Sequence, residues 1–211
     1  MKKWFLVCFF VLGGLTAEES TFAVRDFTPL LDMPGWNQDL LRMHFRLYEG
    51  YVKNTNLLLE ELRHMDQKSY DFGAIKRRLA WEWDGMRLHE LYFENLGKNT
   101  STPLASSLQK QMQKDFGSID AWKADFIATG MVRGIGWVVL YKDKLTSKLC
   151  NAWINEHDVG HIVLGDPLLI MDVFEHAYIT QFALDRGKYI DLFFQSIDWS
   201  IVNSRWESSR K

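Results

Sequence analysis

The sequence predicts an α+β fold: an N-terminal antiparallel helical hairpin followed by a C-terminal α/β domain with a small antiparallel three-stranded sheet. Three observations predict it. Two long stretches before residue 97 repeat their apolar residues at helical spacing, and β-forming residues cluster in short runs after residue 134. A polar, turn-forming stretch from Gly97 to Pro103 separates the two regions.

The first helix starts near Gln38. His44, Leu47, Tyr48, Tyr51, Thr55, Leu58 and Leu62 recur at three- and four-residue steps along one face. The second runs from about Tyr70 to Leu96 and carries His89 on a face with Gly85, Met86, Phe93 and Leu96. A short link makes the two an antiparallel pair. Beyond Pro103, helices are expected over Leu104 to Phe116 and Ile119 to Thr129, the second capped by Ser118 or Asp120. Strands are expected over Gly134 to Tyr141, Leu145 to Ile154 and Leu168 to Asp172, with a turn at Lys142 to Lys144. The chain then reads as helical from His176, with a turn at Asp185 to Gly187 and a last helix near Trp199 to Trp206. The expected organisation is a leader over 1–17, a hairpin domain over 24–98 and an α+β domain over 103–206.

With 211 residues, 47% hydrophobic and 25% charged, the chain suits one large domain or two small ones with a real core. Aromatics reach 14%, nine of them Trp, enough to wall a site from water or to fill a dense core. Met1, Lys2 and Lys3 precede an apolar run from Trp4 to Leu15, a pattern that describes a secretory leader cleaved after Ala17. The run is short for a membrane span, so a membrane role is expected only if the leader stays attached. The expected location is extracytoplasmic, in a periplasm or outside the cell. Cleavage removes two lysines and no acid, taking the formal charge from −2 to −4. A mildly acidic chain is a poor match for nucleic acid, which is bound through Lys and Arg. Cys8 lies in the leader, which leaves Cys150 without an internal disulfide partner.

His44 and His89 lie on the apolar faces of the two long helices, where a lone histidine is commonly a hydrogen-bonded core residue. Asp172 ends an apolar strand, a costly place for an unpaired carboxylate, and His176 follows four residues later. Three imidazoles and one carboxylate form a mixed N/O donor set that suits iron, manganese or zinc. An Asp and a His four residues apart are common by chance, so this pair alone says little.

The wider pattern says more. The segment from Asp172 through Val173, Phe174, Glu175, His176 and Ala177 to Tyr178 resembles the signature of the iron/manganese superoxide dismutase family, with Phe174 where that family usually has Trp. Tyr51 to Asn56, His89 to Phe93, Gly134 to Trp137, Arg186 to Ile190 and Asp198 to Asn203 resemble further family motifs in the right order. The resemblance implies metal ligation by His89, Asp172 and His176. For the first ligand, gapless alignment on Tyr51 and Val52 points to Met43. Loss of one bulge residue from the family's helix points instead to His44, the harder donor and the better match to iron or manganese.

By the same resemblance, Tyr51 or Tyr48 is the gateway phenol, and His157 (or His161) stands where many members have glutamine beside the metal-bound solvent. Trp137, Phe174 and Trp83 are expected to line the pocket. Glu175 and Tyr178 match residues of the family's dimer contact, where the glutamate reaches the ligand histidine of a second copy. The implied activity is superoxide disproportionation at one Fe or Mn ion per subunit, in a homodimer. The alternative is a non-catalytic structural or interaction protein of the same fold.

Overall fold

The computed structural model describes residues 22–98 and 100–209. The leader expected over 1–17 lies outside the described residues. Helices α1 (Gln38–His64) and α2 (Tyr70–Glu94) form the hairpin, followed by α3 (Ser106–Phe116) and α4 (Ile119–Gly130). Three strands come next, β1 (Gly136–Asp143), β2 (Leu149–Asn155) and β3 (Gly165–Asp172). The chain closes with α5 (Ile179–Phe182), α6 (Arg186–Gln195) and α7 (Trp199–Ser208). This is the α+β architecture the sequence predicts. Among the described residues no helix is long and apolar enough to cross a membrane.

Capping sets the hairpin. The Asn37 side chain accepts from the amides of Asp39 and Leu40 at 2.7 and 3.2 Å, and Ser69 accepts from Phe72 at 3.1 Å. In α1 the buried face is Leu40, Leu41, His44, Phe45, Tyr48, Val52 and Thr55; in α2 burial begins at Glu82. The outer parts of both helices therefore extend past the core.

The segment before α1 is held against the hairpin by Asn56. Its side chain accepts from the Phe22 amide and donates to the Phe22 carbonyl, both at 2.8 Å. The Phe22 ring meets Trp83 edge-on at 4.8 Å, and the Arg25 amide donates to the Tyr48 hydroxyl at 3.1 Å. Asn56→Ala is expected to cost about 1 kcal/mol, the usual net worth of such bonding. The Phe22 and Arg25 amides should then exchange with solvent faster than those of α1 by hydrogen exchange.

The sheet is antiparallel in the order β2-β1-β3. Central β1 is buried along nearly its whole length, and α4 packs on β1 and β2 while α2 and α7 pack on β3. Trp137 pairs with Asp172 on one side and Ile154 on the other. Gly136 makes this start of β1 possible. With φ at 152° it passes so close to β2 that a Cβ would lie 2.0 Å from the Ile154 carbonyl oxygen.

The second strand begins at Leu149 rather than Leu145, because Asp143 closes the turn. Its carboxylate accepts from the Thr146 amide and hydroxyl at 2.8 and 2.5 Å. The third strand begins at Gly165, earlier than expected, with a register shift at Leu140/Tyr141 beside Pro167.

Asn95, fully buried, joins hairpin to sheet. It accepts from the Ile170 amide at 2.9 Å and donates to the Ile170 and Tyr92 carbonyls at 3.2 and 2.8 Å, so it occupies the outer edge of β3. Arg205 of α7 donates to the carbonyls of Leu91 and Leu168 at 2.9 and 3.1 Å. These two side chains fix the end of α2 against β3, and with it His89 against Asp172.

Candidate metal centre

Four side chains from four parts of the chain converge. His44 comes from α1, His89 from α2, Asp172 from the end of β3, and His176 from the 3-10 turn Glu175–Ala177. Their donor atoms all lie within 4.8 Å of one another. Nε2 of His44 and Nε2 of His176 are each 3.1 Å from Asp172 Oδ2, and His89 Nε2 is 3.7 Å from it. The other Asp172 oxygen accepts from the Phe174 amide at 2.8 Å, and the Tyr189 hydroxyl donates to the Asp172 carbonyl at 2.6 Å. The carboxylate is thus aimed inward with little freedom.

The donor set fits a metal ion. His89 Nδ1 donates to the Gly85 carbonyl at 2.5 Å, which leaves Nε2 as a lone-pair acceptor. That Nε2 is buried without a partner and faces the Asp172 carboxylate. Two acceptors facing each other in a dry site repel unless a cation lies between them. The Gly85 carbonyl at the same time orients the ring, as outer contacts to ligand histidines commonly do.

The electrostatics agree. Burial holds the pKa values of His44 and His89 below the ordinary 6.5, so both rings are neutral donors at pH 7. Burial alone would raise the Asp172 pKa, but the charge of His176 and hydrogen bonds from His176 and His44 outweigh it and hold the carboxyl well below its usual range.

Aromatic rings close the cluster off. Tyr51 stacks on His89 at 5.1 Å, Trp137 meets His89 edge-on at 4.9 Å, and Phe174 stacks on His176 at 5.0 Å. Tyr92 and Phe93 lie 5.5 and 4.9 Å from His44. Next to the cluster, Tyr51 Oη lies 2.7 Å from His157 Nε2, and the Trp137 indole N–H donates to His157 Nδ1 at 3.1 Å. Burial pushes the His157 pKa down to about 4 and raises that of Tyr51, so both are neutral at pH 7.

A family model for the C-terminal domain of iron/manganese superoxide dismutases matches residues 104–205. An iron superoxide dismutase from Cupriavidus metallidurans is 30% identical over 184 residues, covering 84% of this chain and 91% of that protein. This chain belongs to the iron/manganese superoxide dismutase family. An iron superoxide dismutase from Aquifex pyrophilus is 29% identical over 89% of this chain and 92% of its own length. A manganese superoxide dismutase from Haloferax volcanii is 30% identical over 79% and 84%.

Against the dismutase pattern, the first helix is simple. It is α-helical throughout, His44 is fully buried in the cluster, and Met43 is 41% exposed to solvent. His44 and Tyr51 are seven residues apart, about two helical turns, and so share a face. Tyr48 points elsewhere and donates to Glu90 at 3.0 Å. His161 also stands away from the cluster, accepting from the Tyr141 hydroxyl at 3.0 Å and donating to the His157 carbonyl at 2.8 Å. Tyr178 is buried and accepts from Arg186 at 3.2 Å, while Glu175 is exposed.

One expected wall residue is corrected. Trp83 packs on Phe22 and lies away from the site, whereas Trp81 meets His157 edge-on at 4.8 Å. Trp81, Gly85 and His89 stand at four-residue steps on α2, and that spacing was the available signal.

A pH dependence follows. In the metal-free chain His44, His89 and His157 have folded pKa values below the unfolded value of 6.5. The unfolded chain then binds more protons below that value. The stability these rings contribute is complete above about pH 6.5 and is lost as pH falls toward the folded pKa values, about 4 for His157. Each neutral buried ring should remove up to about 1.4 kcal/mol per pH unit in that window. Calorimetry of metal-depleted protein between pH 7 and 4.5 should show a steadily falling melting temperature.

Proposed function

We propose that this chain converts two superoxide ions and two protons to oxygen and hydrogen peroxide at one iron or manganese ion held by His44, His89, Asp172 and His176. The observation that carries this reading is the unpartnered His89 Nε2 facing the Asp172 carboxylate, in a chain of the dismutase family. The bound ion supplies reversible one-electron redox chemistry. The protein supplies the rest: three imidazoles and one carboxylate to hold a hard cation, an aromatic wall against water, and Tyr51 with His157 to hold protons at the cavity. A non-catalytic role for the fold fits poorly with four converging donors.

The reading extends to assembly and location. Glu175 is exposed and shares a surface hollow with the apolar residues Met131, Ile135 and Leu184, each 37% exposed or more, which suits a homodimer contact that brings Glu175 to His176 of a second copy. The leader over 1–17 directs export and is then removed, so the protein acts as an extracytoplasmic antioxidant. Elemental analysis with a superoxide assay on the wild type and His176→Ala tests the site. Metal and turnover should both be lost in the variant, and retention of both at wild-type level would sink the assignment. Sedimentation and N-terminal sequencing of the exported protein test the dimer and the cleavage.

A further inference from the structure

One end of the sheet carries an apolar tip made of two loops. The turn after β1 and the loop after β2 are tied together where the Lys144 amide donates to the Leu164 carbonyl at 2.9 Å. The Gly165 amide closes a further turn on the Ile162 carbonyl at 2.9 Å. Leu145, Ile162, Val163 and Leu164 gather at this tie, 79, 38, 87 and 51% exposed. From Val159 to Leu164 every residue is exposed and none is Asp, Glu, Lys or Arg. Leu164 is costly twice over. Half of it meets water, and its φ of 61° is a left-handed conformation that suits Gly or Asn far better than Leu. A strained residue held with its apolar side chain outward points to a use for that side chain. The exposed charges of the two loops are Lys144 and Lys148, on either side of Leu145. The nearby carboxylates are half-buried: Asp143 accepts from the Thr146 hydroxyl at 2.5 Å, and Asp166 lies 3.2 Å from Lys144 Nζ.

We propose that this tip is a membrane-docking surface: Leu145, Ile162, Val163 and Leu164 enter the headgroup layer of a bilayer, and Lys144 and Lys148 meet its anionic headgroups. The path of the chain favours a bilayer as the occupant. The described residues begin at Phe22, whose ring is covered by the Arg87 guanidinium at 4.7 Å. Arg87 also lines a hollow with His161 and Ile162, so the N-terminus leaves the body on the side of the tip. The apolar run ends at Leu15, and residues 16–21 that join it to Phe22 span at most about 22 Å when extended. A chain carried across a membrane by that run therefore emerges with the tip close to the lipid. A second copy of the chain fits less well, because four side chains offer well under the roughly 800 Å² that each partner of a stable pair buries. Delivery to the bilayer rests on the proposed export, whereas the lipid contact is a property of the folded chain and outlasts removal of the leader.

Flotation with lipid vesicles tests the contact, using phosphatidylcholine alone and phosphatidylcholine mixed with phosphatidylglycerol. The metal-loaded chain from Glu18 onward, which keeps every described residue, is compared with a Leu145→Gln/Val163→Gln double variant and with Lys148→Gln. Both apolar positions are too exposed for their exchange to disturb the core, and circular dichroism and metal content should match the wild type in each variant. The wild type should float with the mixed vesicles. The double variant should partition at least about tenfold less, since two apolar side chains no longer leave water. Lys148→Gln should bind the mixed vesicles more weakly and the neutral ones unchanged. A wild type that stays in solution, or a double variant that floats equally well, overturns the proposal. So does a wild type that assembles further than the double variant in sedimentation without floating, which would assign the tip to a second copy. Flotation does not read superoxide turnover or cleavage of the leader, so its failure leaves the dismutase and export readings standing, and theirs leaves the tip to be judged by flotation.

Discussion

Asp172→Asn is expected to strip the metal and abolish dismutase turnover while leaving the fold in place. Asp172 is fully buried, and its Oδ2 lies 3.1 Å from both His44 and His176. It is the one anion among the four donors, so the amide takes away the charge that balances the ion. Asparagine has nearly the same shape, and its side-chain oxygen can still accept from the Phe174 amide, as Asp172 Oδ1 does at 2.8 Å. Packing should therefore survive. Changes one shell further out commonly cost 10- to 100-fold in metal affinity, and removing a charged ligand should cost at least about 100-fold. Elemental analysis, a superoxide assay and circular dichroism check the three parts. Stoichiometric metal with wild-type turnover would refute the role.

Gly85→Ala should act differently, lowering both stability and turnover while sparing metal retention. The added Cβ would meet Tyr51 Cδ1, Cε1 and Cγ at 2.7, 2.8 and 3.1 Å. The phenol cannot yield easily, because it is stacked on His89 and bonded to His157. Overpacking of this kind typically costs 1–3 kcal/mol, and here the strain should be relieved by pushing Tyr51 off His157. The expected result is a melting temperature lower by several degrees, an unchanged metal content and a kcat reduced about tenfold or more, as follows from losing a positioned proton donor. Unaltered kcat in a metal-replete variant would show that Tyr51 does not depend on this gap.

Much of this was legible in the sequence because helical spacing is a local property. The step from His44 to Tyr48, Tyr51 and Thr55 places them on one stripe whatever the rest of the chain does, and the structure buries most of that stripe. The capping residue Ser118 was likewise readable, and its hydroxyl accepts from the Ala121 amide at 2.9 Å. What the sequence left open was long-range. Whether Tyr48 or Tyr51 faces the cavity depends on Glu90, on the opposite helix, which holds Tyr48. That Trp81 meets His157, where Trp83 was expected, depends on where the loop after β2 carries that ring. Strand ends also moved, since the turn at Asp143 is set by side-chain bonds that β propensity ignores. The joining role of Asn95 had no sequence signal, because its partner Ile170 lies 75 residues away.

That joint has a consequence for the life history of the protein. Two of the four donors come from the hairpin and two from the end of the sheet, and the halves are brought together by Asn95 and by Arg205 of the last helix. A nascent chain that has made only α1 and α2 holds two imidazoles and no carboxylate partner for them. Capture of the ion is therefore a late step that waits for the C-terminal helix to dock. The supply of iron or manganese at the moment the last helix docks then decides which ion the protein first meets.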